Sequence, residues 1–288
     1  MKIFRDPRKL QKWCRGVRER RRKIALVPTM GYLHDGHLSL IAEAKRRGAG
    51  EIVVSIFVNP VQFCPGEDFG RYPRDEKSDL AKCRRAGATA VFLPEAKDMY
   101  LPDASVYVDE QALSKGLCGA RRPGHFRGVC TVVAKLFNLV HPDFAVFGEK
   151  DFQQLQVVRR MVRDLNFDLE IIGAPIVREP SGLARSSRNS YLSEAEAAAA
   201  AEINRALGEC PSSGSWAVQR RKIVRRLEAA ALKVDYLECV EAETLAPRRT
   251  LGSGAAILAA VYSGKTRLLD NRIFRTDTTT KNETENRR

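Results

Sequence analysis

The stretch "VPTMGYLHDGHLSL", residues 27–40, decides how this sequence is interpreted. It begins like the end of a buried strand, is interrupted at Pro28 and Gly31, and continues into a helix that begins near His37. The free backbone N–H groups and the dipole at such a helix start form an anion site. His34 and His37 stand there, and we interpret them as hydrogen-bond donors to phosphate oxygens on which charge develops. The alternative is two unrelated surface or packing histidines.

Strand-like and helical patterns alternate through the first 180 residues. The strand-like runs are almost continuously hydrophobic, as in strands buried on both faces, and they occupy residues 23–28, 51–59, 88–94, 143–148 and 169–177. This alternation predicts an α/β fold with a Rossmann-like, doubly wound parallel sheet. Ligands of such sheets bind where the carboxyl ends of the strands meet the following loops, which is where the opening motif lies.

The alternation of apolar strand-like runs and helical patterns ends near residue 180. A polar loop is followed by a helix whose Ser193 and Glu196 are spaced as a capping box, then by a linker at 210–215 and further strand and helix patterns. We therefore expect a domain over 1–179 and a smaller C-terminal α+β domain over 180–275, which would act as a lid. Residues 276–288 contain almost no apolar side chain, and we expect them to be disordered.

Composition excludes several classes of protein. The 288 residues contain neither an apolar segment behind the basic start nor 18 consecutive apolar residues, so we expect a cytoplasmic protein without a membrane partner. The seven cysteines are scattered and predict reduced packing residues. The net charge of +14 raises the possibility of nucleic-acid binding, but its clusters at 15–23 and 219–233 fall in helix-like stretches typical of solvated faces. We therefore expect no nucleic-acid partner.

Three further stretches carry polar groups suited to a nucleotide or an organic acid. In "FGEKDFQQLQ", 147–156, Lys150 can neutralise a phosphate and Asp151 can accept from ribose hydroxyls, although an N-capping Asp beside a solvated Lys is the alternative. "ARSSRNSYL", 184–192, suits a mobile clamp on a triphosphate or a simple turn. In "SIFVNPVQF", 55–63, the amide of Gln62 offers both a donor and an acceptor to a hydroxyl and a carboxylate.

These stretches together resemble the pantoate-beta-alanine ligase family. The resemblance also includes "RYPRD" at 71–75 and "RPGHFRGVCTVVAKLFNLVHPDFAVFGEKDFQQLQVVRRMV", and it covers roughly residues 1–275. It implies a nucleotidylyltransferase-like fold, ATP as co-substrate with Mg²⁺, and a homodimer formed through the first domain. It also implies a two-step reaction in which ATP and (R)-pantoate give pantoyl adenylate and pyrophosphate, after which beta-alanine displaces AMP to give pantothenate.

The resemblance assigns roles to particular residues. His37, His34 and Lys150 take the catalytic positions, and Gln62 and Gln154 take the pantoate-binding positions. The nucleotide-binding set comprises Pro28, Thr29, Met30, Gly31, His34, His37, Gly148, Lys150, Asp151, Val177, Arg185, Ser186, Ser187 and Arg188.

Two points of the assignment are left open by the resemblance. Arg185 departs from the Leu or Met usual in the family, and an extra cation there would tighten ATP binding or slow pyrophosphate release. The metal ligands are unknown. Asp79 is a candidate by position, although phosphate oxygens and water can supply most of a magnesium shell.

Two other functions compete with this one. Another nucleotidyl transferase, such as a cytidylyltransferase-like enzyme or a small class I aminoacyl-tRNA synthetase relative, would share the histidine motif, but Gln62 and Gln154 argue against it. A basic nucleic-acid-binding protein on a retired enzyme scaffold would use Arg185 and the arginine-rich helices. The joint presence of His34, His37 and Lys150 argues against that alternative.

Overall fold

The computed structural model describes residues 1–275, so the tail expected to be disordered, 276–288, lies outside the described residues. The chain forms two compact units. The first comprises residues 1–180 and 184–190, and the second comprises residues 181–183 and the chain from 191 onward.

The first unit is built on a parallel sheet. Within the described residues this sheet has six strands in the order β1-β4-β3-β2-β5-β6, which confirms the Rossmann-like prediction. The strands are β1 (Lys2–Phe4), β2 (Ile24–Thr29), β3 (Glu51–Ile56), β4 (Ala90–Phe92), β5 (Phe144–Gly148) and β6 (Glu170–Ala174). All but β1 were predicted from hydrophobic runs.

Helices cover both faces of this sheet. The α-helices described in this unit are α1 (Pro7–Glu19), α2 (Asp35–Arg46), α3 (Glu76–Ala86), α4 (Ala96–Met99), α5 (Leu117–Arg121), α6 (His125–Val140) and α7 (Phe152–Asp164). Helices α2 and α3 share one apolar core with the sheet, which includes Ile41, Cys83 and Val54. Helices α1 and α6 pack together and against β2, and α7 packs on α6, β5 and β6.

The topological switch point of the sheet lies between β2 and β5: the strands β3, β4 and β1 lie to one side of β2, and β5 and β6 lie to the other. Strand β2 pairs with β3 along all six of its residues, but it pairs with β5 only at Ala25 and Leu26. Beyond Leu26 the two central strands separate toward their carboxyl ends. Pro28 lies in the separated part, and because proline has no backbone N–H, the ladder loses no donor at that position. The separation leaves a cleft where ligands of doubly wound sheets bind.

The second unit combines helices with antiparallel strands. Its elements are α8 (Glu194–Gly208), β7 (Gly214–Ser215), α9 (Trp216–Ala229), β8 (Lys233–Glu241), β9 (Thr250–Leu251), β10 (Ala255–Ser263) and β11 (Thr266–Ile273). Strand β10 lies between β11 and β8, and β7 pairs with β9. The predicted capping box is present, with the Glu196 backbone N–H donating to Ser193 Oγ and the Ser193 N–H donating to Glu196.

The segment 184–190 lies in the first unit, whereas the expected domain boundary at 180 put it in the second. Local pairing explains the difference. Arg178 and Ala184 form an antiparallel bridge, and the backbone N–H of Arg185 donates to the Val177 carbonyl at 2.9 Å. The chain therefore returns to the first unit before it continues into α8.

All seven cysteines are free, and six of them are buried packing residues, while Cys64 is half-buried. Among the helices of residues 1–275, none combines the length and the apolar character needed to cross a bilayer.

Candidate active site

A pocket in the first unit occupies the cleft at the carboxyl ends of β2 and β5. It brings together all but one of the site residues predicted from the sequence. These are Pro28, Thr29, Met30, His34, His37, Gln62, Gly148, Lys150, Asp151, Gln154, Val177, Arg185, Ser186, Ser187 and Arg188.

Gly31 is the exception, because it lies outside the residues that line the pocket. The residue is buried under the turn, and a Cβ at its position would lie 2.9 Å from Ile56 Cγ2 and 3.0 Å from Asp79 Oδ2. Its φ of +86° favours glycine. Gly31 therefore shapes the turn instead of lining the pocket.

Asp79, the candidate magnesium ligand, has a structural role in holding the turn before α2. Its side chain is buried on α3, where Oδ2 accepts from the Tyr32 N–H at 2.8 Å and Oδ1 from the Leu33 N–H at 2.7 Å. Both carboxylate oxygens thus hold the turn that carries the histidines. Asp79 lies outside the residues lining the pocket.

His34 and His37 lie side by side at the start of α2, with ring centroids 4.1 Å apart. His34 Nδ1 accepts from the Gly36 backbone N–H, and His37 Nδ1 accepts from the His34 N–H. Since Nδ1 accepts in both rings, each neutral imidazole carries its proton on Nε2. Both rings line the pocket, so each offers it an N–H donor.

The two imidazoles are neutral at physiological pH. Burial, followed by the charges of Lys150 and Arg185, lowers the pKa of His34 to about 4. Burial, followed by the neighbouring His34 and Lys150, lowers the pKa of His37 well below its ordinary value. The histidines therefore act as hydrogen-bond donors and leave the positive charge to Lys and Arg.

Gly36 makes this arrangement possible. A Cβ at its position would lie 2.9 Å from Cε1 and 3.0 Å from Nδ1 of His34. The His34 ring folds back over the first turn of α2, so only glycine leaves room for it.

Lys150 and Asp151 follow the end of β5 and line another part of the same pocket. Lys150 Nζ donates to Asp151 Oδ2 at 3.0 Å. Asp151 stands at the N-cap position of α7 without capping it, so its carboxylate stays available to the pocket. Burial opposes ionisation of Asp151, but the Lys150 ammonium lowers the pKa of that carboxyl below its usual value.

Gln62 is held by a chain of hydrogen bonds that sequence reasoning did not anticipate. Tyr100 Oη donates to Asn59 Oδ1 at 2.8 Å, and Asn59 Nδ2 donates to Gln62 Oε1 at 3.0 Å. The Gln62 amide nitrogen lies 3.1 Å from Met30 Sδ. The network fixes which end of the amide is the donor, and it orients that donor beside Met30 in the pocket lining.

A second layer holds the backbone of Gln62. His125 Nδ1 donates to the Gln62 carbonyl at 2.8 Å, because its Nε2 accepts from Arg122 at 2.9 Å. Arg122 in turn forms a two-point pair with Glu67, with distances of 2.6 and 2.8 Å. Burial, assisted by the Arg122 charge, lowers the pKa of His125 to about 3, so this ring is also neutral.

The segment 184–190 is fastened to the pocket by its own side chains. Arg188 pairs with Asp68 through two hydrogen bonds of 2.9 and 2.8 Å, and Ser187 Oγ donates to the Tyr32 carbonyl at 3.3 Å. Arg188 is thus oriented before any ligand binds.

Comparison with known proteins decides the family. The model of the pantoate-beta-alanine ligase family matches residues 2–273. This chain belongs to the pantoate-beta-alanine ligase family. The resemblance drawn from the sequence is therefore confirmed.

Individual relatives agree with this assignment. The chain is 50% identical over 267 residues to pantothenate synthetase from Myxococcus xanthus, covering 90% of this chain and 91% of the relative. It is 51% identical over 280 residues to pantothenate synthetase from Anaeromyxobacter dehalogenans, covering 93% and 97%.

Solved structures of the family share the fold. Pantothenate synthetase from Thermus thermophilus matches with a TM-score of 0.89 and 44% identity over 96% of this chain and 100% of that one. Pantoate-beta-alanine ligase from Francisella tularensis, complexed with beta-gamma ATP and beta-alanine, matches with a TM-score of 0.82 and 32% identity over 96% and 98%.

Within this pantoate-beta-alanine ligase fold, the site includes residues absent from the sequence prediction. Arg122, His125, Asn59 and Tyr72 line the pocket, as does an apolar wall from α6 formed by Val129, Val132, Val133 and Leu136. The polar members were signalled by "RPGHFRG" and by Asn59 at a strand end. The valines gave no signal, since an apolar helix face is normally core.

The side chains that line this pocket are compatible with a magnesium ion that binds together with a nucleotide. Among the described pocket-lining residues Asp151 is the only carboxylate, and the described residues contain no cluster of three or more His, Cys, Asp or Glu arranged around a metal. Mg²⁺ commonly binds through one or two carboxylates together with substrate phosphates and water. A pocket with one carboxylate and several phosphate-directed donors suits that mode.

Proposed function

We propose that this chain ligates (R)-pantoate to beta-alanine with ATP, through a pantoyl adenylate. The observation that carries the proposal is one pocket that contains two neutral Nε2–H imidazoles, a lysine and two side-chain amides at the carboxyl ends of the central strands. The names of the family and of its relatives support the same substrates.

In the first step a pantoate carboxylate oxygen attacks the α-phosphorus of ATP. The bond between that phosphorus and its bridging oxygen breaks, and pyrophosphate leaves with the electron pair. Negative charge develops on the phosphate oxygens, where His34 and His37 donate through Nε2 and Lys150 supplies a positive charge. Donors aimed at developing charge are the commonest large contribution to catalysis.

Further residues position the two substrates. Gln62 and Gln154 bind the hydroxyl and carboxylate of pantoate, and Asp151 accepts from the ribose. Val177 contacts the adenine. The triphosphate is held by the backbone of residues 28–30, by Gly148 and by the 185–188 segment.

In the second step the amine of beta-alanine attacks the acyl carbon of the adenylate. The bond from that carbon to the phosphate oxygen breaks, AMP leaves with the electron pair, and the new amide loses a proton to solvent. Activation is required because an unmodified carboxylate would have to expel oxide. The adenylate is labile in water, so a closed pocket protects it.

Magnesium, when bound with ATP, would screen phosphate charge and would take its ligands from phosphate oxygens and water, because Asp151, the carboxylate among the described pocket-lining residues, is assigned to the ribose. A cytoplasmic location, a homodimer through the first domain and a lid function for the C-terminal domain complete the proposal. They rest on the family resemblance.

The test is AMP production from ATP by the purified chain. We expect AMP only when both pantoate and beta-alanine are present, and exchange of labelled pyrophosphate into ATP with pantoate alone. Exchange that requires an amino acid or a nucleic acid instead of pantoate would overturn the proposal.

A further inference from the structure

Arg185 lines the pocket and is paired with a carboxylate from the start of α2. Its Nη2 lies 3.1 Å from Asp35 Oδ2. We propose that Asp35 competes with the nucleotide phosphates and with pyrophosphate for the Arg185 guanidinium, and that this competition keeps pyrophosphate release from becoming slow. The inference rests on the proposed function and adds a positioning residue, Asp35, to it.

The backbone places Arg185 beside the phosphate-directed histidines. Its N–H is fixed on the Val177 carbonyl at 2.9 Å, and a Cβ at Gly36 would lie 3.7 Å from its own Cβ. The Arg185 charge is also among the causes that lower the pKa of His34. The guanidinium therefore shares the α2 side of the pocket with His34.

The guanidinium has donors that Asp35 leaves unused. Arg185 Nε is buried and has no hydrogen-bond partner within residues 1–275. A guanidinium offers five N–H donors in a planar fork, and a phosphate group can accept from two of them at once. Because Nε is shielded from solvent in this conformer, the guanidinium must turn away from Asp35 before a phosphate can accept from both Nε and Nη2, which makes the two anions mutually exclusive partners.

The Asp35 pair is weak enough to be displaced. The side chains of Arg185 and Asp35 are 31% and 61% exposed. An ion pair this exposed shifts an equilibrium by no more than about fivefold, because solvent screens it and both side chains lose freedom. A polyphosphate with several negative charges competes successfully, and Asp35 regains the guanidinium when the product departs.

The experiment compares Asp35→Asn, Arg185→Leu and the double variant with the wild-type chain. Pyrophosphate binding to the ligand-free protein is measured by titration calorimetry, and product inhibition by pyrophosphate is measured in the AMP assay. We expect Asp35→Asn to lower the dissociation and inhibition constants about three- to fivefold. Arg185→Leu should raise both constants, and adding Asp35→Asn to it should change neither.

Glu43→Gln serves as the matched control. Glu43 is a carboxylate on the same helix, but it pairs with Arg46 and Arg47 and lies outside the pocket lining. Its substitution removes the same charge and should leave pyrophosphate binding unchanged. Thermal unfolding of each variant verifies folding.

Two outcomes would overturn the inference. Unchanged or weaker pyrophosphate binding by Asp35→Asn would show that the carboxylate does not compete. Equal tightening by Asp35→Asn with and without Arg185 would show that it repels phosphate directly. Failure of the proposed function would look different, since AMP would not form even where calorimetry shows the expected pyrophosphate pattern.

Discussion

Replacement of Gly128 by alanine should damage pantoate binding through the backbone. Gly128 lies in α6 where the helix crosses the turn Pro60–Gln62. A Cβ at this position would lie 2.5 Å from the Val61 carbonyl oxygen and 2.6 Å from both N and Cα of Gln62. Since these are backbone atoms, no side-chain rotation can relieve the clash.

The size of the effect follows from the displacement. Ordinary contact begins near 3.4 Å, so the turn that carries Gln62 must move by about 0.9 Å. Misplacing a substrate-binding group by about 1 Å costs on the order of 10²-fold in rate, or about 2.7 kcal/mol. Overpacking should also lower the free energy of unfolding by about 1–3 kcal/mol.

Steady-state kinetics with varied pantoate measures this loss as kcat/KM, and calorimetry with ATP tests whether the nucleotide part of the pocket survives. Gly16→Ala is the control, because Gly16 is also inside a helix but its added Cβ would meet only Arg20 Nη1, at 3.7 Å. That variant should keep full activity and gain about 1 kcal/mol of stability. A Gly128→Ala enzyme with wild-type kcat/KM for pantoate would refute the reasoning.

The other predictions concern charge and hydrogen bonding. His37→Ala should reduce pyrophosphate exchange by about 10²- to 10³-fold in a protein that still folds, with stability lowered by about 0.5–2 kcal/mol through the lost capping bond to the His34 N–H, and wild-type exchange would contradict the assigned role. Asp79→Asn should lower the free energy of unfolding by about 2–3 kcal/mol, because one amide oxygen replaces two carboxylate acceptors of the turn. Magnesium dependence should stay unchanged in that variant, and a large shift in a magnesium titration would restore Asp79 as a ligand. Between pH 6.5 and about 4 the unfolded chain binds protons at His34, His37 and His125, while the folded protein keeps these rings neutral. The free energy of unfolding should therefore fall on acidification by up to about 1.4 kcal/mol per pH unit for each ring. Urea titrations in which the free energy of unfolding increases as the pH is lowered from 6.5 to about 4 would contradict the burial argument.

The central strands could be predicted because buried parallel strands are almost continuously apolar. Strand β1, Lys2–Phe4, was missed because its two apolar residues are flanked by Lys2 and Arg5, whereas the equally short β4 lies within the apolar run 88–94. Helix α6 begins at His125, although Gly124 and Gly128 resemble helix breakers in the sequence. Burial of Phe126 and Val129 outweighs the weak helix propensity of glycine.

The site could be predicted where its residues follow a strand, since the carboxyl ends of parallel strands meet at one edge. His34, Lys150 and Gln62 were found in this way. The role of Asp79 could not be found, because its two acceptor bonds depend on how α3 approaches a turn 46 and 47 residues away in sequence. The pairing of Arg122 with Glu67, over 55 residues, is equally invisible to local patterns.

The incomplete pairing of β2 with β5 has a consequence for affinity. Because the two strands already diverge beyond Leu26, an incoming molecule does not have to unzip the sheet. The cleft between these strands is therefore preformed, and binding does not have to include the free energy of separating β2 from β5. Since Pro28 has no backbone N–H, the diverged end of β2 carries one fewer donor that would need a partner.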